Sequence, residues 1–171
     1  ASGCRVIGVD LNPQRLALAE QLGAAVVNPA SGDVAAACAA LAGGDGADGV
    51  LITASAKTDE IIHASAQMCR KRGRIVLVGV IGLNLRRSDF YEKELTFQVS
   101  CSYGPGRYDP AYEKRGQDYP LPFVRWTEQR NFQAVLDQLQ TGALRVDDLI
   151  THRLEHAKAD QAYQLVRSDS S

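Results

Sequence analysis

The stretch CRVIGVDLNPQRLALAEQLGA, residues 4–24, constrains the fold more than any other part of this 171-residue chain. The largely apolar run from Arg5 to Val9 predicts a strand that stops at an acid, Asp10. Asn12 is a good N-cap residue and Pro13 suits the first helical position, so a helix is expected to follow almost at once. A strand that turns directly into a helix is the repeating unit of α/β folds.

The same alternation continues along the chain. Further strands are expected at residues 25–28, 46–55, 73–82 and 93–103. Helices are expected over residues 33–41 and from Thr58 to Arg72, the second with three basic residues in its last turn. The run GRIVLVGVIG is apolar on both faces, as strands of a helix-covered parallel sheet are. We therefore predict an α/β fold with a doubly wound parallel sheet.

The pattern changes after residue 103. Residues 104–126 have no clear periodicity and are expected to form a loop that is ordered, because aromatic residues are scarce in disordered segments. The aromatic residues are Tyr108, Tyr112, Tyr119, Phe123 and Trp126. Arg107, Arg115 and Arg125 among them suit a sugar or an anionic substrate, and packing between domains explains them equally well.

The last part of the chain predicts a helix, a strand and a helix. Phe132, Val135, Leu136 and Leu139 share one helical face between Thr127 and Gly142. LITHRL, residues 149–154, is expected to be a short strand, and a helix should follow around Ala159–Val166. We therefore divide the chain into a sheet domain (1–103), an aromatic-rich excursion (104–130) and a C-terminal segment (131–171) that packs on the same domain.

Composition excludes several classes of partner. The formal net charge is −1, from 19 basic and 20 acidic residues, so neither nucleic acid nor an anionic membrane is an expected partner. No apolar run approaches the about 20 residues that span a bilayer, and no signal peptide is visible, so a cytoplasmic protein is expected. The four cysteines form no disulfide or C-x-x-C metal pattern and should be free and mostly buried. His63, His152 and His156 stand alone, so we expect no metal site.

Candidate binding residues lie where the predicted strands end, because open α/β sheets bind ligands at the carboxyl edge of their strands. Asp10 can hold the two hydroxyls of an adenosine ribose, although it could instead only cap the following turn. Arg15 could lie near the same ribose or could equally be a solvated helix residue. Small residues after the later strands leave room for a cofactor ring, although Thr53 and Ser55 could simply cap a helix. The candidate cofactor-binding residues are Asp10, Asn12, Arg15, Thr53, Ala54, Ser55, Gly79, Val80, Cys101 and Ser102.

A family resemblance rests on the order of several segments. These are GCRVIGVD, AEQLGA, GADGVLITAS, RKRGRIVLVG, KELTFQVS, LITHRL and AYQLV. In this order they resemble the cofactor-binding domain of medium-chain, zinc-type alcohol dehydrogenases, a Rossmann-like domain, over nearly the whole chain. SYGPGRYDP, DYP and VRWTEQRN are similar to threonine-dehydrogenase-like modules that are fused to a second oxidoreductase domain in bacteria.

The resemblance implies an NAD-dependent dehydrogenase that moves a hydride between the nicotinamide and an alcohol, carbonyl or sugar-like substrate. It implies that Gly79 and Val80 pass beside the nicotinamide and that Ser100–Ser102 border its carboxamide. An acid at the position of Asp10 favours NAD over NADP, because a carboxylate repels a 2′-phosphate. Any zinc is expected in a catalytic domain outside this chain.

The family's G-x-G-x-x-G turn is expected upstream of this chain, about 20 residues before Asp10. The sheet would then lack its first strand, which is central in the order 3-2-1-4-5-6. The strands on its two sides would have to pair with each other or with another molecule, and we expect a homo-oligomer. Without the glycine turn the pyrophosphate loses its backbone donors, so the chain alone should be inactive.

Two alternatives stay open on the sequence alone. VIGVDLNPQRLALA also suits an S-adenosylmethionine-dependent methyltransferase, although LITAS offers no acid after the next long strand. A non-enzymatic module that senses a nucleotide and regulates a partner is the second alternative, because fold does not determine function.

Overall fold

The computed structural model describes residues 3–168, which divide into two compact units, one ending at Glu128 and the other beginning at Gln129. The strands of the first unit are β1 (Ile7–Val9), β2 (Ala25–Val27), β3 (Ala47–Ile52), β4 (Cys69–Leu77) and β5 (Thr96–Val99). Its helices are α1 (Pro13–Gln21), α2 (Val34–Leu41), α3 (Glu60–Met68), α4 (Arg87–Tyr91) and α5 (Pro110–Arg115). Helix α6 (Glu128–Gln140) begins at the boundary, and α7 (Ala159–Ser168) closes the second unit. None of the described helices combines the length and apolar character that crossing a membrane requires.

Parallel strands confirm the predicted α/β class. Strand β1 pairs with β2, with Ile7 opposite Ala25 and Val9 opposite Val27. Strands β3, β4 and β5 form a second parallel sheet in that order. Within residues 3–168, β1 and β3 do not pair with each other, so each has an edge without a strand partner.

Local sequence signals account for the start of the first helices. The side chain of Asn12 accepts hydrogen bonds from the backbone N–H of Gln14 (2.8 Å) and Arg15 (3.4 Å), and Pro13 is the first residue of α1. Asp33 accepts from the N–H of Ala36 (3.1 Å) and caps α2 in the same way. These caps satisfy backbone donors that would otherwise have no partner at a helix start.

Two apolar clusters form the core of the first unit in the described residues. The larger joins β3, β4 and α3 and consists of Ile52, Ile62, Ala66, Cys69, Ile75, Leu77 and Ile81. The smaller consists of Val27, Cys38 and Met68, and the Cys38 Sγ lies 3.5 Å from the Met68 Sδ. Helices α2 and α3 therefore join the two sheets where their strands do not. Leu51 on β3 is 71% exposed, so β3 is not covered on both faces here.

Helix α3 ends earlier than the sequence predicts. It stops at Met68, and Arg70–Arg72 belong to β4 instead of forming the last helical turn. The half-buried Lys93 ammonium donates to the backbone oxygens of Ala66 (3.0 Å), Gln67 (2.9 Å) and Cys69 (2.9 Å). A lysine distant in sequence thus satisfies the helix end.

Two further expectations are corrected. Residues 149–154 form no strand: a short 3-10 helix (Asp147–Leu149) precedes residues 150–155, which have no ladder partner within the described chain. All four cysteines are free, as predicted, but only Cys38 and Cys69 are buried, whereas Cys4 and Cys101 are exposed. Burial raises the pKa of the Cys38 and Cys69 thiols, which makes them poor nucleophiles.

Candidate functional site

The loops that follow β3, β4 and β5 lie side by side at one edge of the larger sheet. The N–H of Val80 donates to the Ala54 oxygen (3.1 Å), and the N–H of Ala56 donates to the Val80 oxygen (2.9 Å). The N–H of Ser100 donates to the Leu77 oxygen (2.8 Å). The structure thus brings together residues 53–55, residues 79–80 and the start of the segment that contains Cys101 and Ser102.

Gly79 is where two of these loops make their closest approach. A Cβ atom at this position would lie 2.0 Å from the backbone oxygen of Ala54. Glycine is therefore required here because a side chain would not fit. Its backbone φ is outside the left-handed region, so backbone conformation does not select it. Val80, the next residue, is 72% exposed and presents an apolar side chain at this edge.

Asp10, Asn12 and Arg15 form a second group, at the end of β1. The Asp10 Oδ1 accepts a hydrogen bond from the N–H of Asn12 (2.8 Å), so the turn-capping role is observed. Its Oδ2 lies 3.6 Å from the Nη1 of Arg15, whose side chain is 74% exposed. An ion pair this exposed contributes little to stability, so the second carboxylate oxygen of Asp10 can exchange Arg15 for a ligand at small cost. Asn12, by contrast, uses its side-chain oxygen to cap α1.

A polar cavity of about 630 Å³ lies just beyond the β3 and β4 loops and was not expected from the sequence. It is lined by residues 57–60 and 83–86. The carboxylate of Asp59 accepts from the backbone N–H of Asn84 (3.0 Å) and from its Nδ2 (2.8 Å), and these bonds lower the pKa of Asp59. A Cβ on Gly82 would lie 2.2 Å from the Asp59 Oδ1, so glycine there admits the carboxylate.

The segment after β5 is ordered by hydrogen-bonded turns and by a helix that the sequence analysis missed. Turns link the N–H of Gly104 to the Cys101 oxygen (2.6 Å), that of Arg107 to the Gly104 oxygen (3.2 Å) and that of Asp109 to the Gly106 oxygen (3.0 Å). Asp109 then caps α5 by accepting from the N–H of Ala111 (2.8 Å). The expectation of a loop is therefore wrong for residues 110–115.

Three neighbouring tyrosine rings pack this segment, and two of them, Tyr112 and Tyr119, are stacked. The ring centroid of Tyr112 is 6.3 Å from that of Tyr103 and 5.8 Å from that of Tyr119. The Tyr103 hydroxyl donates to Glu113, which also pairs with the Arg107 Nη1 (2.5 Å). The Tyr119 hydroxyl donates to the Asp109 Oδ2 (2.6 Å). We call this set, Tyr103, Arg107, Asp109, Tyr112, Glu113 and Tyr119, the tyrosine cluster.

Acid is expected to loosen the tyrosine cluster. The pKa of Glu113 is lowered by hydrogen bonds from Tyr103, the larger cause, and from Arg107. The pKa of Asp109 is lowered by a hydrogen bond from Tyr119. A pKa that is lower in the folded state gives a stabilisation that is present above the unfolded pKa and is lost as pH falls through the folded one. The near-ultraviolet circular dichroism of the tyrosines should therefore decline below about pH 4.

The matched variants are Glu113→Gln and Glu155→Gln. The first should show a reduced tyrosine signal already at pH 7 and a smaller change with acid. The second, at an exposed residue outside the cluster, should titrate like the wild type. A Glu113→Gln titration identical to that of the wild type would contradict the assignment.

The histidines lie apart. The Nδ1 of His63 on α3 is 2.8 Å from the Oδ2 of the buried Asp89 on α4, and the Nδ1 of His152 is 2.9 Å from the Thr151 Oγ1. His152 does not lie in a strand, contrary to expectation. Among residues 3–168, no three His, Cys, Asp or Glu side chains are placed to hold a metal ion.

Comparison with known proteins yields one family model, described as zinc-binding dehydrogenase, which matches residues 1–115. A search of curated proteins finds no match.

Several solved dehydrogenases have a similar fold. The 2R,3R-butanediol dehydrogenase of Bacillus subtilis is 25% identical with a TM-score of 0.63, over 86% of this chain and 35% of that one. The alcohol dehydrogenase TADH of Thermus sp. ATN1 is 21% identical with a TM-score of 0.69, over 98% of this chain and 42% of that one. A short chain alcohol dehydrogenase of E. coli CFT073, solved with the cofactor NADH, is 20% identical with a TM-score of 0.66, over 95% of this chain and 41% of that one. The chain spans less than half the length of each of these proteins.

Proposed function

This chain belongs to the zinc-binding dehydrogenase family, and on that premise we propose that it binds NAD for an oxidoreductase acting on a small alcohol or carbonyl compound. The observation that carries the proposal is that an acid, Asp10, directly follows β1 and that a sterically required glycine, Gly79, lies in the loop after β4. Both positions are at strand carboxyl ends, where α/β sheets bind nucleotides.

The residues at these strand ends fit the two ends of such a cofactor. The Oδ2 of Asp10, which meets only an exposed arginine, would accept hydrogen bonds from the hydroxyls of the adenosine ribose. The exposed side chain of Val80 would pack on the nicotinamide ring, and Ser100–Ser102 would border its carboxamide. Thr53, Ala54 and Ser55 are exposed and small, and in this proposal they would leave room for the cofactor beside Val80.

The bound cofactor would donate or accept the hydride, and the protein's part is to orient it. An apolar contact from Val80 on one face of the ring would exclude water there and fix the orientation of the ring. A carboxylate at position 10 disfavours a 2′-phosphate by charge repulsion, which supports NAD over NADP. Arg15 reduces this repulsion, since its guanidinium lies 3.6 Å from the same carboxylate.

The chain alone is expected to bind cofactor weakly and to be inactive. Residues 44–49, GDGADG, match G-x-G-x-x-G in letters, but residues 47–49 are already part of β3, so the segment does not lie between a strand and a helix. They cannot present a helix N-terminus to a pyrophosphate. Gly46 instead lies against the backbone of β4, where a Cβ would be 2.8 Å from the backbone nitrogen of Arg70.

Zinc is implied by the family's name, but the described residues do not fit a zinc site. Its usual donors are four cysteine, histidine or carboxylate side chains at tetrahedral positions. In the described residues no three such side chains converge. We assign zinc no role in this chain, and propose that any zinc belongs to a catalytic domain outside it. We also propose that the protein forms homo-oligomers and is located in the cytoplasm.

Replacing Asp10 by serine is expected to weaken NADH binding about tenfold, because hydrogen bonds to a charged group are worth more than neutral ones. NADPH binding should weaken less, since the variant also removes the charge repulsion. Saturation-transfer NMR detects weak binding and is therefore the measurement of choice. Glu20→Gln, an exposed acid on α1, is the matched control and should bind NADH like the wild type.

The same titration separates the alternatives. Unchanged NADH binding by Asp10→Ser would contradict the role of Asp10. Binding of S-adenosylmethionine in place of NADH by the wild type would favour the methyltransferase. NADH binding without turnover in the longer protein would favour the nucleotide-sensing module.

A further inference from the structure

Tyr108 has a conformation and an exposure that packing does not explain. Its φ is +67°, a value that bulky residues rarely adopt, and it is 74% exposed. It is the third residue of the turn from Gly106 to Asp109, a position where positive φ usually selects glycine. The chain therefore keeps an exposed aromatic ring on a strained backbone residue, and backbone strain of this kind concentrates at functional sites.

The Tyr108 ring packs against Arg107, whose guanidinium is itself held by Glu113. The guanidinium carbon of Arg107 lies 4.2 Å from the Tyr108 ring centroid and 5.9 Å from that of Tyr103. Glu113 pairs with this guanidinium and also accepts from the Tyr103 hydroxyl. The backbone N–H of Tyr108 also helps to lower the pKa of Glu113. Glu113 thus holds in place the guanidinium that packs against the Tyr108 ring.

The chemistry of this arrangement selects a neutral ligand. The charge of Arg107 is compensated by Glu113, so the pair does not attract an anion strongly. An exposed aromatic face has a negative π surface that suits weakly positive C–H groups. The guanidinium lies against one face of the ring, so a ligand would stack on the other face. Arg107 has five N–H donors, more than its pair with Glu113 uses, and these suit ligand hydroxyls that extend past the edge of the ring. A ring of C–H groups that carries several hydroxyls combines both requirements.

We propose that Tyr108, supported by Arg107 and Glu113, is a stacking platform for a neutral polyhydroxylated molecule, a sugar or a polyol. The platform lies shortly after the turn Cys101–Gly104, which contains two of the three residues assigned to the nicotinamide carboxamide, Cys101 and Ser102. Its role as the subsite for the non-reacting end of the substrate rests on the proposed function. Binding of the polyol itself does not.

The test is saturation-transfer NMR on the 171-residue chain with four probes, each measured separately: methyl α-glucopyranoside, glucuronate, cyclohexanol and NADH. We expect the glucoside to give the strongest signal of the three cyclic probes without a nucleotide. Tyr108→Gly removes the ring and relieves the positive φ, and it should weaken glucoside binding about tenfold. Tyr108→Phe keeps the ring and should bind as the wild type does.

Two controls separate the platform from the fold. Tyr163→Ala, at an exposed tyrosine on α7, should leave glucoside binding unchanged. The NADH signal should be the same in Tyr108→Gly and in the wild type, which also shows that the variant is folded.

Each remaining outcome decides one of the two proposals. Glucoside binding that survives Tyr108→Gly, or no glucoside binding by the wild type, overturns the platform and leaves packing against another domain as its explanation. A glucuronate signal stronger than that of the glucoside overturns the choice of a neutral ligand. Glucoside binding that depends on Tyr108, in a chain that does not bind NADH, supports the platform while the proposed function fails.

Discussion

Gly79→Ala is expected to lower the free energy of unfolding by about 3 kcal/mol and to remove detectable NADH binding. The added methyl group would lie 2.0 Å from the backbone oxygen of Ala54, and backbone cannot rotate away as a flexible side chain can. The loops after β3 and β4 would have to separate, and with them the residues assigned to the cofactor. Urea denaturation and saturation-transfer NMR with NADH measure the two effects.

Gly8→Ala is the matched control for this experiment. Gly8 lies in β1, and a Cβ there would be 3.4 Å from the Ala19 Cβ, which is ordinary contact. Its stability should stay within about 0.5 kcal/mol of the wild type. If Gly79→Ala were as stable as Gly8→Ala and bound NADH equally well, the close approach of the two loops would not define the site.

Lys93→Met is expected to destabilise the chain by a similar amount, about 3 kcal/mol. Methionine keeps the length and apolar stem of the side chain but removes the ammonium that serves three backbone oxygens at the end of α3. Polar groups that are left without a partner away from water cost more than the bond itself contributes. Thermal and urea unfolding are the measurements.

The control is Lys71→Met, at an exposed lysine of β4 close in sequence to the same helix end. It should unfold like the wild type, because exposed substitutions away from such features have small effects. Equal stability of the Lys93 and Lys71 variants would mean that water serves the three oxygens equally well.

What could be predicted from the sequence was local. Asn12 before Pro13 marks the start of α1 because capping acts within one helical turn, and the acid after β1 was found in the same way. Phe132 and Leu139 mark α6 because an amphipathic helix of 13 residues repeats its pattern several times. Such signals do not depend on the rest of the fold.

The errors have non-local causes. The end of α3 depends on Lys93, which contacts carbonyls 24 to 27 residues away in sequence. Helix α5 has only six residues, too few for a periodic pattern, although Asp109 before Pro110 was a readable start signal. Residues 149–154 have the composition of a strand, but a strand also needs a neighbour, and the described chain provides none.

The candidate site was predictable only in part. Strand ends such as Asp10 and Gly79 could be located by pattern, because each follows its own apolar run. The steric need for Gly79 could not, because it depends on the position of Ala54 in the loop after another strand, β3. The cavity beside Asp59 was missed for the same reason, since its carboxylate is bound by Asn84, 25 residues later.

The separation of the sheets β1–β2 and β3–β4–β5 has a thermodynamic consequence. The two sheets are joined by side-chain packing between α2 and α3 and not by hydrogen bonds between strands, so the smaller half, which contains β1 and β2, can open on its own. Its amide protons should therefore exchange with solvent sooner than those of β4. Asp10 belongs to the smaller half and Gly79 to the larger. A nucleotide that contacts both Asp10 and Gly79 would lose contacts whenever the smaller sheet opened. Its binding would therefore stabilise that sheet against local opening.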